Sequence, residues 1–170
     1  FLADVYVPCA ECEGKRFKDE VLAYTLGGKH VDATVLFSDI RSFTSLTEAR
    51  SPAETIELLN SYYTLMFDAI SGHGGVVNQM IGDGLMAIFG APLPLADPCG
   101  SAVRAAQEMI EMLALFNREP DRAGKPPIRI GIGIASGSVI AGYTGTELRA
   151  TYTCVGDTVN LAARLEAFLA

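Results

Sequence analysis

The sequence predicts an α+β domain whose helices pack on one mostly antiparallel sheet. Three observations indicate this class. Short apolar runs rich in β-branched and aromatic residues alternate with longer stretches of 3.6-residue periodicity. An Asp-Gly turn joins two of the apolar runs as a tight hairpin. The element order is strand, helix, strand, strand, helix, strand, then one further strand and helix, which is typical of helices lying on a sheet.

The first predicted strand, Val31 to Phe37, is β-branched and aromatic and leads to Asp39. A short helix follows over about Ser42 to Glu48. The stretch Ser51 to Glu54 predicts the start of a long helix ending near Ser71, because its serine suits the N-cap, its proline the first helical position, and its glutamate completes a capping box. The apolar residues that we expect to face the core are Ile56, Leu59, Tyr63, Met66, Phe67 and Ile70.

The predicted hairpin has strands over residues 76–81 and 85–89, joined by glycine on either side of Asp83. Asp83 should therefore lie at the hairpin tip. A second long helix begins after Asp97, its expected N-cap. The expected core positions of this helix are Val103, Ala106, Ile110, Leu113 and Phe116.

Isoleucine occupies every second position from Ile128 to Ile134, which predicts a strand with one bulky face and one nearly bare face. A bare face lets a neighbouring element or a ligand approach closely. Residues 138–143 and 150–155 predict two further strands, and residues 157–169 predict a final helix. The complete order corresponds to a ferredoxin-like βαββαβ core.

The composition argues against several classes of function. The net charge is −7 and the 13 lysines and arginines are scattered, so a general nucleic-acid binder is disfavoured. No apolar run approaches the roughly 20 residues of a membrane span, and we expect a cytoplasmic domain without a membrane segment. Residues 1–28 lack a sustained period and predict a connector, whereas residues 29–170 predict the folded domain. Cys9 and Cys12 could form half of a zinc site, but reduced thiols are the simpler interpretation.

Two aspartates end strand-like segments beside flexible turns. In a βαββ unit the end of the first strand and the tip of the following hairpin can be neighbours, which would bring Asp39 and Asp83 together. Two carboxylates without a basic partner favour a divalent cation, and Mg²⁺ completes its coordination with water and phosphate oxygens. The backbone N–H groups of Ser42, Phe43 and Thr44 could hold those phosphates. The alternative is that Asp39 merely caps a helix and Asp83 merely forms a turn.

The final predicted helix carries Asn160 and Arg164, four residues apart on one face. Such a pair can donate hydrogen bonds to a phosphoryl group that develops charge. Taken alone, such a pair is more often an ordinary polar helix face.

Three segments together, VLFSDIRSFT, NQMIGDGLMAIFG and TYTCVGDTVNLAARLE, resemble the catalytic domain of class III nucleotidyl cyclases, chiefly bacterial adenylate cyclases. The resemblance begins near Val31 and implies conversion of a nucleoside triphosphate to a 3′,5′-cyclic monophosphate and pyrophosphate. It also implies two metal ions per site, Mg²⁺ or Mn²⁺. The corresponding metal-binding groups are Asp39, Asp83 and the carbonyl of Ile40, and the residues that contact the transition state are Asn160 and Arg164.

The resemblance also indicates how the base is read. Gln79 stands where adenylate cyclases carry a lysine, and Thr153 stands where they commonly carry an aspartate, as in one bacterial subclass. Both can hydrogen-bond to adenine, although neutral glutamine binds less strongly than lysine. Guanylate cyclases usually carry an acid at the first of these positions, so ATP is the expected substrate. Arg149 is similar in position to basic residues near the triphosphate.

The family resemblance implies a head-to-tail homodimer with a site at each interface, regulated by an upstream sensor. Family domains continue beyond the helix at which this chain stops, so we expect a missing C-terminal hairpin. The alternatives are a weak or inactive cyclase-like module that binds nucleotide or dimerises, and a guanylate cyclase. A diguanylate cyclase is disfavoured because the Gly-Gly-Asp-Glu-Phe turn is missing.

Overall fold

A computed structural model describes residues 28–48, 50–119, 125–146 and 149–168, with the side chains at 145–150 outside the description. Cys9, Cys12 and almost all of the expected connector therefore lie outside the described residues. Five strands form one sheet in the order β2-β3-β1-β4-β5, and each neighbouring pair is antiparallel. The elements are β1 (Lys29–Ile40), α1 (Phe43–Thr47), α2 (Pro52–Gly72), β2 (Val76–Ile81), β3 (Gly84–Phe89), α3 (Pro98–Phe116), β4 (Ile130–Thr146), β5 (Arg149–Val155) and α4 (Asp157–Phe168).

The sheet separates two apolar cores, which confirms the predicted α+β class. Helices α2 and α3 cover one face, where Leu36, Tyr62, Met66, Phe89 and Met109 are fully buried. Helix α4 covers the other face. The second core there includes Val35, Met86, Ile88, Val139, Tyr152 and Ala162. Within the described part of the chain, no helix is long and apolar enough to cross a membrane.

Both predicted helix starts are confirmed. The Ser51 hydroxyl accepts from the Glu54 N–H at 3.3 Å, and the Glu54 carboxylate accepts from the Ser51 N–H at 2.8 Å, which completes a capping box. Asp97 accepts from the Gly100 N–H at 2.8 Å and caps α3.

The predicted core faces of these two helices are confirmed in part, since Met66, Ile70 and Leu113 are buried but four other predicted positions are exposed. Ile56 and Phe67 are 44% and 37% exposed, and Val103 and Ile110 are 43% and 56% exposed. The reason is that small residues, rather than the bulky ones alone, let the helices approach each other and the sheet. The buried residues are Leu58, Tyr62, Met66, Ala69 and Ile70 on α2, and Ser101, Ala102, Ala105, Met109 and Leu113 on α3.

Two predicted strand boundaries also need correction. The first strand runs on to Ile40, so Asp39 lies inside the β1–β4 ladder opposite Gly131. The two strands expected before residue 144 form one continuous strand, β4, because its small residues 135–137 stay in register with β1. The bare face of β4 does admit a neighbour. A Cβ atom on Gly133 would collide with the main chain of α4, so α4 lies directly against β4.

Candidate active site

The sheet brings Asp39 and Asp83 together as expected. Asp83 lies in the two-residue turn between β2 and β3, and β3 pairs with β1 so that Ser38 is opposite Leu85. A Cβ atom on Gly84 would lie 3.1 Å from Asp39 Oδ1. Partial burial, followed by hydrogen bonding to and repulsion from Asp39, raises the pKa of Asp83 to about 6. Two carboxylates thus share one partly buried spot.

The shifted pKa of Asp83 predicts that its charge destabilises the metal-free fold. The folded-state pKa of about 6 exceeds the ordinary value of 3.8, so the folded state binds the proton more tightly. This contribution to the free energy of unfolding therefore falls as pH rises from about 4 to about 6. Solvent screens part of the effect, and we expect metal-free Asp83→Asn to melt about 2–4 °C above the wild type at pH 7.5. Calorimetry at pH 4 should show that the difference in melting temperature between Asp83→Asn and the wild type disappears. A difference that persists at pH 4 would show that the charge of Asp83 is not its cause.

Two tyrosines of α2 form hydrogen bonds to residues next to Asp39 and Asp83. The Tyr63 hydroxyl donates to the carbonyl of Gly82 at 2.7 Å and is 3.3 Å from that of Gly84, so it holds both ends of the turn that carries Asp83. Burial, with smaller contributions from both aspartates, raises the pKa of Tyr63 to about 12, which keeps it a donor. The hydroxyl of Tyr62 is 3.3 Å from that of Ser38. Sequence periodicity predicted Tyr63 as a core residue and did not select Tyr62, and it carries no signal for a hydrogen bond to a distant turn.

The expected phosphate cradle is the short helix α1. Ser42 precedes it in the left-handed conformation, with φ 55° and ψ 38°, so the helix begins at Phe43 rather than at Ser42. The Leu46 N–H donates to the Ser42 carbonyl at 2.9 Å. The N–H groups of Phe43, Thr44 and Ser45 precede that bond and are therefore the free donors of a helix start.

An unexpected ion pair lies beside the aspartates. Arg41 Nη2 is 2.9 Å from Glu166 Oε1 and donates to the Glu166 carbonyl at 2.7 Å. Burial and then repulsion from Asp39 raise the pKa of Glu166, against the lowering effect of Arg41. Neither Arg41 nor Glu166 was a candidate from the sequence, because 125 residues separate them.

The two candidate base-reading residues, Gln79 and Thr153, lie on strands β2 and β5, which a buried hydrogen bond joins. Strands β2 and β5 are opposite edges of the sheet, yet the Asn78 amide donates to the Tyr152 carbonyl at 2.5 Å. Gln79 and Thr153 are the next residues along each strand, and both are half-buried. A register shift between Val77 and Gln79 accompanies the bond, as bulges beside functional sites often do.

The remaining candidates lie apart from the acidic pair. Asn160 and Arg164 are both exposed on α4, whose inner face packs on the sheet through Ala162. None of the described contacts joins either residue to Asp39 or Asp83. The main chain of Arg149 begins β5, but its side chain lies outside the described residues.

The donor set suits a hard divalent cation. Asp39 and Asp83 offer carboxylate oxygens, which Mg²⁺ and Mn²⁺ prefer. Among the described residues, no group of three or more His, Cys, Asp or Glu side chains is arranged so that all could hold one metal ion. A two-carboxylate site leaves coordination positions for water and phosphate oxygens, as Mg²⁺ usually requires.

Comparison with known proteins identifies the family. The model of the adenylate and guanylate cyclase catalytic domain matches residues 28–168. The chain therefore belongs to the class III nucleotidyl cyclases, whose domains use divalent metal ions and work as dimers.

Relatives of both base specificities are similar to this chain. Adenylate cyclase 1 of Rhizobium meliloti (strain 1021) is 36% identical over 135 residues, which cover 79% of this chain and 20% of that protein. The chain thus spans about a fifth of this curated relative. The crystal structure of the guanylyl cyclase Cya2 is 39% identical with a TM-score of 0.79, covering 84% of this chain and 73% of that one. The adenylyl cyclase CyaB from P. aeruginosa is 33% identical with a TM-score of 0.78, covering 84% and 74%.

Proposed function

We propose that this domain converts ATP to 3′,5′-cyclic AMP and pyrophosphate as a head-to-tail homodimer. The observation that carries the proposal is the pairing of Asp39 and Asp83 at the meeting of β1 and the β2–β3 turn. Asp39, Asp83 and the carbonyl of Ile40 would hold two Mg²⁺ or Mn²⁺ ions. When bound, such ions lower the pKa of an attacking hydroxyl and neutralise charge on the phosphates.

The chain's own groups divide the remaining work. The N–H groups at the start of α1 would bind triphosphate oxygens. Asn160 and Arg164 of the partner subunit would donate to the α-phosphoryl oxygens, where negative charge grows as the 3′-hydroxyl attacks. Their exposure on α4 supports this arrangement, because side chains that act on a neighbour's substrate must lie at the surface.

The proposed preference for ATP rests on Gln79 and Thr153. The Asn78 bond to Tyr152 ties together the two segments on which these residues lie. The Thr153 hydroxyl can accept from the adenine amino group, and the Gln79 amide can donate to a ring nitrogen. Gln79 also lacks the negative charge that would suit guanine.

The proposal is tested by measuring cyclic AMP and cyclic GMP formed from ATP and GTP with Mn²⁺, using the full-length chain. We expect cyclic AMP to dominate. Dominant cyclic GMP would reassign the substrate. Nucleotide binding without either product would instead support the second candidate, a regulatory nucleotide-binding module.

The base-reading assignment predicts that Gln79→Lys raises activity with ATP. A lysine ammonium makes a charge-assisted bond where glutamine makes a neutral one, which we expect to increase kcat/KM for ATP roughly fivefold. Steady-state kinetics with both nucleotides provide the measurement. Gln79→Glu is the matched control and should lower activity with ATP. Unchanged or reduced ATP activity in Gln79→Lys would show that position 79 does not read the base.

We further propose that the domain is the cytoplasmic output of a longer signalling protein, which an upstream sensor regulates. The support is that the matching region forms only a fifth of the Rhizobium meliloti relative.

A further inference from the structure

We propose that Glu166 keeps the acidic pair available to a divalent cation by neutralising Arg41, which would otherwise occupy it. This inference rests on the proposed function and adds two positioning residues to its metal site. Neither residue needs to touch the metal or the nucleotide.

The Arg41 guanidinium lies between β4 and α4, on the face of the sheet that carries Asp39. Arg41 lies two residues after Asp39, and its N–H donates to the Arg129 carbonyl at 2.8 Å, which fixes the main chain as β1 ends. A Cβ atom on Gly131, the residue opposite Asp39, would collide with the Arg41 guanidinium. The guanidinium therefore lies across the bare face of β4, in the space that this glycine leaves.

Arg41 contacts both the main-chain carbonyl and the side-chain carboxylate of Glu166. The directed hydrogen bond goes to the main-chain carbonyl of Glu166 at 2.7 Å. Nη2 also lies 2.9 Å from Oε1, so the carboxylate charge is in direct contact with the guanidinium. The two side chains are only 19% and 13% exposed, so solvent screens the pair weakly. The hydrogen bond to the main-chain carbonyl does not depend on the carboxylate charge, so it can hold Arg41 in place when that charge is removed.

The side chains of Asp39, Asp83, Glu166 and Arg41 form one cluster of charges. Asp39 lies opposite Gly131, whose open space the Arg41 guanidinium fills, and a Cβ atom on Gly84, the residue after Asp83, would lie 3.1 Å from Asp39 Oδ1. Three carboxylates and one guanidinium leave the ionised cluster with a net charge of −2. Removal of the Glu166 charge would leave Arg41 as an uncompensated cation beside Asp39, where it repels or displaces a metal ion.

The experiment measures binding of Mn²⁺ alone, without nucleotide, from the EPR signal of the free ion. We expect Glu166→Gln to weaken binding about tenfold and Arg41→Gln to strengthen it by a similar factor, as a one-charge change at close range implies. The double variant should return near the wild type. Glu108→Gln is the matched control, because it removes the same charge from a carboxylate that contacts His73 between α2 and α3, and it should leave binding unchanged.

The order of affinities separates a charge effect from damage to the fold. A purely structural role predicts that the double variant binds as weakly as Glu166→Gln, and that result would overturn the inference. The inference would also be overturned if Glu166→Gln bound Mn²⁺ as tightly as the wild type does. The same holds if substitution of Asp39 left Mn²⁺ binding unchanged. If the expected order holds but no cyclic nucleotide forms, the proposed function fails and the inference stands. If cyclic nucleotide forms but the variants do not show the expected order of affinities, the proposed function stands and the inference fails.

Discussion

Asparagine in place of either Asp39 or Asp83 is expected to lower cyclic nucleotide production about a thousandfold, because each change removes a charge from a two-carboxylate cation site. Alanine at either position should do the same. The two aspartates lie together at the end of β1 and the β2–β3 turn, and neither can substitute for the other. Product formation from Mn²⁺ and ATP, at matched protein concentration, is the measurement.

The fold should survive these substitutions. Asp83→Asn relieves a carboxyl whose pKa is raised to about 6, so its metal-free melting temperature should not fall. Asp68→Asn provides the matched control, since Asp68 is exposed on α2 and no described contact joins it to Asp39 or Asp83, and its activity should equal that of the wild type. Product that persists in Asp39→Ala or Asp83→Ala would show that these residues do not hold the cation.

Local sequence rules predicted most of the secondary structure. The capping box at Ser51, the cap at Asp97 and the hairpin around Asp83 depend on neighbours within a few residues, and all three are present. The helix faces were less predictable, because bulky residues dominate a periodicity pattern while small residues decide how closely helices pack. Ala102 and Ala105 are fully buried, whereas Ile110 is half exposed.

Contacts between distant segments could not be predicted from the sequence. The Asn78 bond to the Tyr152 carbonyl spans 74 residues and depends on how β5 pairs with the C-terminal end of β4. The Arg41 contact with Glu166 depends on two glycines of β4 that leave room for a guanidinium and a helix. Bare positions 131 and 133 were visible in the sequence, but what fills them follows only from the assembled sheet.

The contrast between local and long-range contacts explains why only part of the candidate site could be predicted. The acidic pair was predictable because strand pairing in a βαββ unit determines it. Asn160 and Arg164 were identified as a pair, but their relation to the aspartates cannot follow from one subunit. Both are exposed on α4, and the described contacts leave them apart from Asp39 and Asp83. Their proposed role therefore requires a second copy of the chain.

Two inactive variants should restore each other's activity if the sites are shared. Asp39→Asn damages the metal-binding half of a site, and Arg164→Ala damages the half that the partner contributes. In a heterodimer of these variants one site collects both defects and the other has none. Random pairing makes half of the dimers mixed, so co-expression of the full-length chains should recover about a quarter of wild-type activity.

The matched control is co-expression of Asp39→Asn with Asp83→Asn. Both substitutions damage the same half of the site, so every heterodimer has two defective sites and no activity should return. Two different affinity tags, purified in sequence, would isolate heterodimers before the cyclic AMP assay. Inactive Asp39→Asn and Arg164→Ala heterodimers would contradict a shared site, as would recovery in the control. Recovery in the first pair alone would assign the aspartates and Arg164 to opposite subunits, because no arrangement within one chain gives that pattern.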